Sequence, residues 1–342
     1  MPINTPTNNA MATSCDDINL DFTHTFLPAV YILVFIIGFT GNCWGLKTVF
    51  RNWKKVGNIN LFLLNLGVAD LLYVFSLPLL VTYYLEGSRW SFGYASCVVT
   101  RFCFNLNLYG SIGFLTCICV YRYLGIVYTM ETLGRIKTRH SAGICALVWV
   151  LVLAQILPDA IMFDKSKPNS SESCFDTTGN ESLRNYLPYS IGWSFTGFGI
   201  PLLIIIFCYG HVAVVLATRA KASARLLKQR CLKLVIILVL LFSVCFIPYH
   251  VLRNLNLATR ILKMEGKCRP HFGSVYLAHQ VSRGLASTNS AINPLIYLLG
   301  NDGFAERCRA LRARARASFS RLTGVVVYRH AQEVESADEE SR

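Results

Sequence analysis

The chain has 342 residues, of which 53% are hydrophobic and only 15% are charged. Because soluble domains are typically about 25% charged, this composition excludes an ordinary soluble protein. The formal net charge of +14 would suit a nucleic-acid-binding protein, but the basic residues fall in particular loops and in the tail. We therefore expect no nucleic-acid partner.

Seven apolar segments follow one another along the chain. A hydrocarbon core of roughly 30 Å needs about 20 apolar residues in a helix, and these segments are too long and continuous for the strands of a membrane barrel. The sequence therefore predicts an all-α membrane protein built as a seven-transmembrane helix bundle. The predicted spans lie near residues 27–50, 60–85, 97–128, 140–162, 186–217, 228–256 and 272–300.

The distribution of basic residues predicts the orientation of this bundle. Residues 1–26 contain no Lys or Arg, whereas the loops after the first, third and fifth spans and the tail are basic. The positive-inside rule then predicts that residues 1–26 are extracellular, that residues 27–300 form a transmembrane domain in the plasma membrane, and that residues 301–342 are cytoplasmic. We expect no cleavable signal peptide, because the polar N-terminus lacks a basic region before a short apolar core.

Cysteines and glycosylation sequences agree with this orientation. Four of the 13 cysteines fall on the predicted outer side, where an oxidising environment favours two disulfides with three possible pairings. Asn169 and Asn180 each begin a glycosylation sequence, and both lie in one predicted outer loop. The four outer cysteines are Cys15, Cys97, Cys174 and Cys268.

Asp70 lies in the middle of the second span. A carboxylate at that depth costs roughly 2.5–3.5 kcal/mol on insertion scales, so it needs a partner or a function. One interpretation is a hydrogen-bond network that joins helices. The other is a cavity for water or a hard cation, which prefers oxygen ligands. The residues that can face Asp70 are Asn42, Ser111, Asn289 and Asn293.

Five prolines lie well inside predicted spans two, four, five, six and seven, where a proline removes a backbone hydrogen bond and kinks the helix. Prolines are also better tolerated in membrane helices than in soluble ones. Pro248 and Pro294, however, follow bulky or polar residues, so we interpret spans six and seven as the moving parts of a switch. The five are Pro78, Pro158, Pro201, Pro248 and Pro294.

Three arginines fall at a similar depth in the outer half of the predicted bundle: Arg101 in span three, Arg253 in span six and Arg283 in span seven. No acidic residue in the facing helical segments is an obvious partner. Since arginine matches phosphate or carboxylate oxygens bidentately, the three predict a polyanion-binding site. The alternative is that each arginine reaches water or pairs with an acid of the outer loops. Those acids are Asp176, Glu181 and Glu265.

Aromatic residues near these arginines can complete a ligand site. They can stack on a base or bind a ribose, although aromatic residues in membrane bundles more often only pack. Arg184 and Tyr186 can reach the same ligand from an outer loop. The basic residues Arg260 and Lys263 are placed in the next outer loop. The aromatic candidates are Phe104, Tyr109, Tyr249 and His250.

The tail carries a basic amphipathic pattern over residues 302–320. This pattern predicts a short helix that lies along the membrane surface and is attracted to anionic lipids. Cys308 is a candidate palmitoylation site because juxtamembrane cysteines can be acylated.

Short motifs occur in chain order, one set per predicted helix. They are Gly41-Asn42, Leu66-Gly67-Val68-Ala69-Asp70, Cys97, Tyr121-Arg122-Tyr123, Trp149, Pro201, Cys245-Phe246-Ile247-Pro248 and Asn293-Pro294-Leu295-Ile296-Tyr297. Each is weak alone, but together they are specific, and the chain resembles the rhodopsin-like G-protein-coupled receptors over essentially its full length.

A narrower resemblance rests on further stretches: Arg101-Phe102 through Asn107-Leu108-Tyr109-Gly110-Ser111, Cys174-Phe175-Asp176-Thr177-Thr178, Gln280 through Ser287, and Pro248-Tyr249-His250 with Arg253. They are similar to the metabotropic purinergic nucleotide receptors, and most similar to the adenine-nucleotide, Gq-coupled branch. This resemblance implies an extracellular ligand such as ADP or ATP, activation of Gq, phospholipase C and calcium release, and arrestin as a further partner. The implied ligand set is Arg101, Phe104, Tyr109, Asp176, Tyr249, His250, Arg253, Gln280 and Arg283.

The resemblance also implies roles outside the ligand site. It pairs Cys97 with Cys174 and Cys15 with Cys268. It implies a sodium pocket at Asp70, Ser111, Asn289 and Asn293, the only cofactor expected, and a G-protein switch at Arg122, Tyr209, Pro248 and Tyr297. The sequence departs from the family in two places. Tyr121 replaces the acid that normally restrains the following arginine, and Phe246 replaces a common tryptophan.

Other functions make different demands on the sequence. A receptor for small dicarboxylates would use a similar arginine set, although the basic outer loop favours a nucleotide. An anion transporter or channel would show internal repeats or paired discontinuous helices, which the sequence lacks. No set of residues pairs a nucleophile with a base and its orienting group, so we do not expect an enzyme.

Overall fold

The computed structural model describes residues 21–51, 53, 58–127, 137–165, 174, 183–219, 239–267 and 269–299. Every regular element in these ranges is helical, which confirms the predicted all-α class. Residues 1–294 form one compact unit and residues 295–342 form a second. The domain limits near residues 27 and 300 stay predictions.

Ten α-helices occur in the described ranges. They are α1 (Asp21–Arg51), α2 (Ile59–Val74), α3 (Leu77–Leu85), α4 (Tyr94–Val127), α5 (Thr138–Lys165), α6 (Leu183–Ser194), α7 (Ile200–Arg219), α8 (Ile247–Met264), α9 (Phe272–Ile292) and α10 (Pro294–Leu299).

Six continuous helical stretches of the described chain are long and apolar enough to cross a membrane. They are Phe22–Arg51, Ile59–Leu85, Tyr94–Gly125, Thr138–Asp159, Leu183–Val215 and Val239–Met264. The seventh predicted span corresponds to α9 and α10. It is less apolar because α9 carries polar residues such as His279, Gln280 and Arg283, which are buried in the protein rather than exposed on its surface.

Prolines coincide with most of the breaks in these helices. A π-helical turn at Phe195–Gly199 precedes Pro201, and another at Phe242–Phe246 precedes Pro248. Such turns absorb the hydrogen bond that proline cannot make. The chain also breaks between α2 and α3 before Pro78, and between α9 and α10 before Pro294. Pro158, in contrast, lies inside α5, which continues to Lys165.

The bundle buries polar as well as apolar side chains in its interior, and it exposes many large apolar side chains on its outer surface. Asp70 and Asn42 are 0% exposed, whereas Leu203 and Phe207 on α7 are 61% and 67% exposed. Helix α4 is buried over most of its length and packs against α2, α5 and α7, while α1 packs against α2, α3 and α9. This distribution suits a helix bundle surrounded by lipid, where apolar side chains gain nothing by turning inward.

Two groups of residues that the sequence placed in loops belong to helices instead. Arg260 and Lys263 lie on α8, which extends to Met264 rather than ending near residue 256. Arg184 and Tyr186 lie on α6. The last residues of α8 and the first residues of α6 are too polar to be recognised as membrane-spanning. The apolar pattern of the sequence therefore predicted helices that were too short at these ends.

Several predicted sites lie outside the described residues. They are Cys15, Cys268, Asp176, Asn169, Asn180, Cys308 and the amphipathic helix at residues 302–320.

A disulfide joins Cys97, near the start of α4, to Cys174. This confirms one of the pairings that the cysteine count left open. Both residues are buried, and the carbonyl oxygen of Cys174 accepts a hydrogen bond from Nη1 of Arg101 at 3.1 Å. We call the end of the bundle that carries this bond the disulfide end.

We expect Cys97→Ser to destabilise the protein, because the bond limits the freedom of the unfolded chain and holds Cys174 beside Arg101. The loss in free energy of unfolding should be about 2–5 kcal/mol, measured as a lower melting temperature of the purified protein without reductant. Cys103→Ser, which changes a free cysteine on the same helix, is the control. Equal melting temperatures for the two variants would contradict the prediction.

Candidate functional site

A buried carboxylate brings two of the predicted arginines together. Asp159 on α5 is 7% exposed. Its Oδ2 lies 3.9 Å from Nη2 of Arg101, and its Oδ1 lies 3.8 Å from Nη2 of Arg253. Asn105 donates a hydrogen bond to Oδ2 at 3.1 Å, and the hydroxyl of Tyr186 donates to Oδ1.

Arg253 is held by tyrosines as well as by this carboxylate. Its Nη1 donates to the hydroxyl of Tyr109 at 3.3 Å, and its Nη2 donates to that of Tyr186 at 2.5 Å. The guanidinium carbon lies 5.8 Å from the centroid of the Tyr186 ring, within the range of a cation–π contact. We call these residues of α4, α5, α6 and α8 the Asp159 cluster: Arg101, Asn105, Tyr109, Asp159, Tyr186 and Arg253.

The expectation that these arginines lack an acidic partner in the facing helices is therefore wrong. Asp159 follows Pro158 near the predicted end of span four, where a carboxylate is easily taken to face water. Its position in an otherwise apolar segment could have indicated that it is buried among polar partners. A carboxylate there has the same cost of insertion into the membrane that identified Asp70 as unusual. Asn105 and Asp159 were missed as site residues, and Tyr186 was assigned to a loop.

Arg283 lies in a different polar group, against α3. Its Nη1 donates to the hydroxyl of Tyr84 at 3.1 Å, and this hydroxyl lies 3.5 Å from Oε1 of Gln280. Ser287 donates to the carbonyl oxygen of Arg283 at 2.9 Å and lies 2.6 Å from the hydroxyl of Tyr73. Arg283 is 7% exposed and therefore buried, whereas the arginines of the Asp159 cluster are partly exposed.

A row of aromatic rings connects the two arginine groups. The ring of Phe104 lies 5.7 Å from that of Tyr73 and 5.6 Å from that of Tyr249, and Tyr249 lies 6.0 Å from His279. The row runs across the bundle from the Arg283 group to α8. The predicted aromatic candidates are therefore close to both arginine groups.

His250 contributes the polar edge of this region. Its ring stacks on Phe198 with centroids 4.6 Å apart and lies 5.9 Å from the ring of Tyr109. Within the described chain, neither of its buried ring nitrogens has a hydrogen-bond partner. Such buried polar atoms are uncommon, because leaving them unpaired costs free energy. The imidazole is therefore suited to bind a polar group of a ligand.

A second carboxylate cluster surrounds Asp70. Asn107 donates to its Oδ1 at 2.8 Å, and Asn293 donates to its Oδ2 at 2.9 Å. Ser111 lies within 3.4 Å of Oδ1. Asn42, in contrast, donates to the carbonyl oxygens of Gly38 and Ser290. The structure thus brings Ser111 and Asn293 to Asp70 as expected and adds Asn107, which the sequence analysis did not select.

Asp70 and Asn293, which contact each other, offer oxygen atoms of the kind that a sodium ion binds. The side-chain oxygens of Asn42, Asn289 and Asn293 are buried and have no hydrogen-bond partner among the described residues. Carboxylate and amide oxygens are the ligands that hard cations prefer. These oxygen atoms are therefore of the chemical type that binds such an ion. The hydrogen bonds that join Asp70 to neighbouring helices also support the other interpretation, a network that holds helices together.

Two predicted switch residues, Arg122 and Tyr209, lie away from the disulfide end, because Arg122 is near the other end of α4. Tyr209 on α7 is buried and close enough to Arg122 on α4 for the two to interact electrostatically. Tyr121 packs its ring against Phe62, with centroids 6.2 Å apart. Pro248 begins α8 directly after its π-helical turn. Tyr297 lies on α10, in the second compact unit.

Comparisons with known proteins agree with this arrangement. Residues 41–297 match the family of seven-transmembrane receptors of the rhodopsin type. The chain is 40% identical to human P2Y purinoceptor 1 over 305 residues, which are 88% of this chain and 81% of that protein. The turkey protein of the same name is 39% identical over 311 residues, or 90% and 85% of the two chains. Rat 2-oxoglutarate receptor 1 is 35% identical over 303 residues, or 88% and 89%.

Gly197, in the π-helical turn Phe195–Gly199, permits the close approach of this turn to Tyr109 of the Asp159 cluster, and this gives a test of the packing there. A Cβ atom there would lie 2.8 Å from Cε1 of Tyr109 and 2.8 Å from Oε1 of Gln155. We expect Gly197→Ala to lower the free energy of unfolding by about 1–3 kcal/mol through overpacking, measured by thermal melting. The control is Gly192→Ala, because a Cβ at that position meets no atom within 4 Å. Equal stability of the two variants would show that Tyr109 moves aside easily.

Proposed function

The chain belongs to the rhodopsin family of G-protein-coupled receptors, and on this premise we propose that it binds an extracellular nucleotide such as ADP or ATP and activates Gq. Members of this family are multi-pass plasma-membrane receptors rather than enzymes, and they act through heterotrimeric G proteins. The nucleotide, the G-protein class and the residues that bind the ligand are the proposed parts.

The partly buried arginine pair of the Asp159 cluster is the observation that carries this proposal. Arg101 and Arg253 lie on facing helices and approach the same carboxylate from two sides. Guanidinium groups held in this way suit phosphate oxygens, which accept several charge-assisted hydrogen bonds. The relatives named P2Y purinoceptor 1 support a purine-containing ligand for this chain as well.

Neighbouring groups can supply the contacts that distinguish a nucleotide from a simple phosphate. Phe104 and Tyr249 provide aromatic faces for a base, and His250 provides a polar edge. Arg283 and Gln280 stand at the other end of the aromatic row, where they can bind a second part of the ligand. Asp176 belongs to the same proposed set through the family resemblance.

The proposed signalling direction follows from the charge pattern of the chain. We place the disulfide end outside the cell and the Arg122 end in the cytoplasm, where the basic loops would lie. Ligand binding near Arg253 would then act on α8, whose π-helical turn and Pro248 lie between the ligand site and the cytoplasmic end. Arg122, Tyr209 and Tyr297 would engage the G protein, with arrestin as a further partner.

A dicarboxylate ligand is the second candidate. The identity with 2-oxoglutarate receptor 1 spans most of both chains. Asp159 also offsets part of the positive charge of Arg101 and Arg253, which favours a ligand with fewer negative charges than a triphosphate. Such a ligand would use the arginines but would not need aromatic faces for a base.

The function is tested by calcium release in cells that lack other purinergic receptors. Cells expressing the chain are challenged with ADP, ATP, UTP, UDP, succinate and 2-oxoglutarate, with and without a Gq inhibitor. We expect ADP or ATP to give an inhibitor-sensitive response. A response to the dicarboxylates alone would support the second candidate and overturn the first.

The role of the arginine pair is tested by Arg253→Ala. Because truncation leaves Asp159 with one fewer cation and removes contacts to the ligand, we expect a loss of about 2–5 kcal/mol, or roughly 30-fold to several thousand-fold in potency. Potencies are compared at matched surface expression. Lys267→Ala is the control, because Lys267 is 67% exposed and pairs with Glu265. A potency change of less than threefold in Arg253→Ala would place the ligand elsewhere.

We also propose that the Asp70 cluster binds a sodium ion. Replacing N-methylglucamine chloride with sodium chloride at equal ionic strength should raise the melting temperature of the purified receptor by several degrees. The increase should be lost in Asp70→Asn, since a ligand that binds only the folded state stabilises it. An equal sodium effect in both proteins would refute the site.

A further inference from the structure

Asp159 occupies the position that the anionic part of a ligand would need. It is the carboxylate that both Arg101 and Arg253 approach, and it is buried while the two arginines are partly exposed. We infer that Asp159 is an internal counter-anion for these two arginines, and that an anionic ligand competes with it for them. The inference rests on the proposed anion site, but not on the identity of the nucleotide or of the G protein.

The contact distances indicate that Asp159 holds the arginines loosely. Each guanidinium approaches the carboxylate through one nitrogen, at 3.8 Å and 3.9 Å. Charge-assisted hydrogen bonds are shorter, about 2.7–2.9 Å, and are often bidentate for arginine. Neither arginine forms such a pair with Asp159. A ligand with phosphate or carboxylate oxygens can therefore offer both arginines better geometry than Asp159 does.

Neutral groups, rather than the arginines, anchor the carboxylate. Asn105 and Tyr186 make the direct hydrogen bonds to its two oxygens. Asp159 therefore keeps partners when an arginine turns toward a ligand, and it is not left as a bare buried charge. This lowers the cost of the exchange, because an unpaired buried charge is strongly unfavourable.

The arrangement also explains how two guanidiniums are kept mostly buried without a ligand. Like charges repel in a poorly polarisable interior, and a carboxylate between them relieves that repulsion. The same attraction then opposes ligand binding, since the ligand must replace it. Asp159 would thus set the affinity for the anion, and its charge would make weak or singly charged anions poor competitors.

Opposite changes of charge at the cluster should shift anion affinity in opposite directions. Asp159→Asn keeps the shape and removes the competing charge, and the amide of Asn105 can turn to match it. Asn105→Asp keeps the shape and adds a second carboxylate beside Arg101. We expect tighter anion binding in the first variant and weaker binding in the second.

The test uses the full-length purified receptor and inorganic pyrophosphate, at constant ionic strength with chloride. Binding is measured as the pyrophosphate concentration that gives half of the maximal rise in melting temperature. We expect Asp159→Asn to melt at a lower temperature without pyrophosphate, but to need at least tenfold less of it. Asn105→Asp should need several-fold more. Glu265→Gln is the control, because it removes a carboxylate at the disulfide end outside the cluster.

The outcomes separate this inference from the proposed function. Equal or weaker pyrophosphate binding by Asp159→Asn, or an equal shift in Glu265→Gln, would overturn the inference and make Asp159 a structural partner only. Should Asp159→Asn fail to fold, unchanged binding by Asn105→Asp would overturn it instead. No stabilisation of any variant would also overturn it. Tighter binding by Asp159→Asn without any nucleotide response in cells would support the counter-anion and refute the nucleotide.

Discussion

Polar side chains buried inside a lipid-surrounded bundle have few polar partners other than one another. The strongest demands come from carboxylates, whose charge is costly to bury without partners. In this receptor, Asp70 and Asp159 each accept hydrogen bonds from donors on other helices. The exposed surface, by contrast, is apolar and places few restrictions on packing.

The two carboxylates meet this demand in different ways. Asp70 accepts hydrogen bonds from neutral groups such as Asn107 and Asn293, and the side-chain oxygen of Asn293 has no hydrogen-bond partner among the described residues. Asp159 combines neutral donors with two arginines. The first set therefore suits a small cation, and the second suits an anion that can take over the arginines. One physical constraint thus accounts for both proposed binding sites.

Helix breaks connect the ligand region to the rest of the bundle. The π-helical turn before Pro201 contains Phe198, and the one before Pro248 is followed by His250. The rings of these two residues stack on each other. A helix with a local break can change its direction at lower cost than a continuous one, since part of its backbone hydrogen bonding is already rearranged. Arg253 lies one and a half turns beyond Pro248, so a shift of its guanidinium acts close to such a break.

The sequence by itself determined the class, the number and order of the membrane helices, and the unusual status of Asp70, because apolar length and a buried charge are local properties. The inward position of Asp159 was decided only by the tertiary structure. Helix α5 is apolar on most of its surface, so its sequence has no periodic pattern that tells one face from another. Which residues Arg101 and Arg253 contact depends on how four helices are rotated and packed. In a helix that faces lipid, the order of polar and apolar residues does not indicate this rotation.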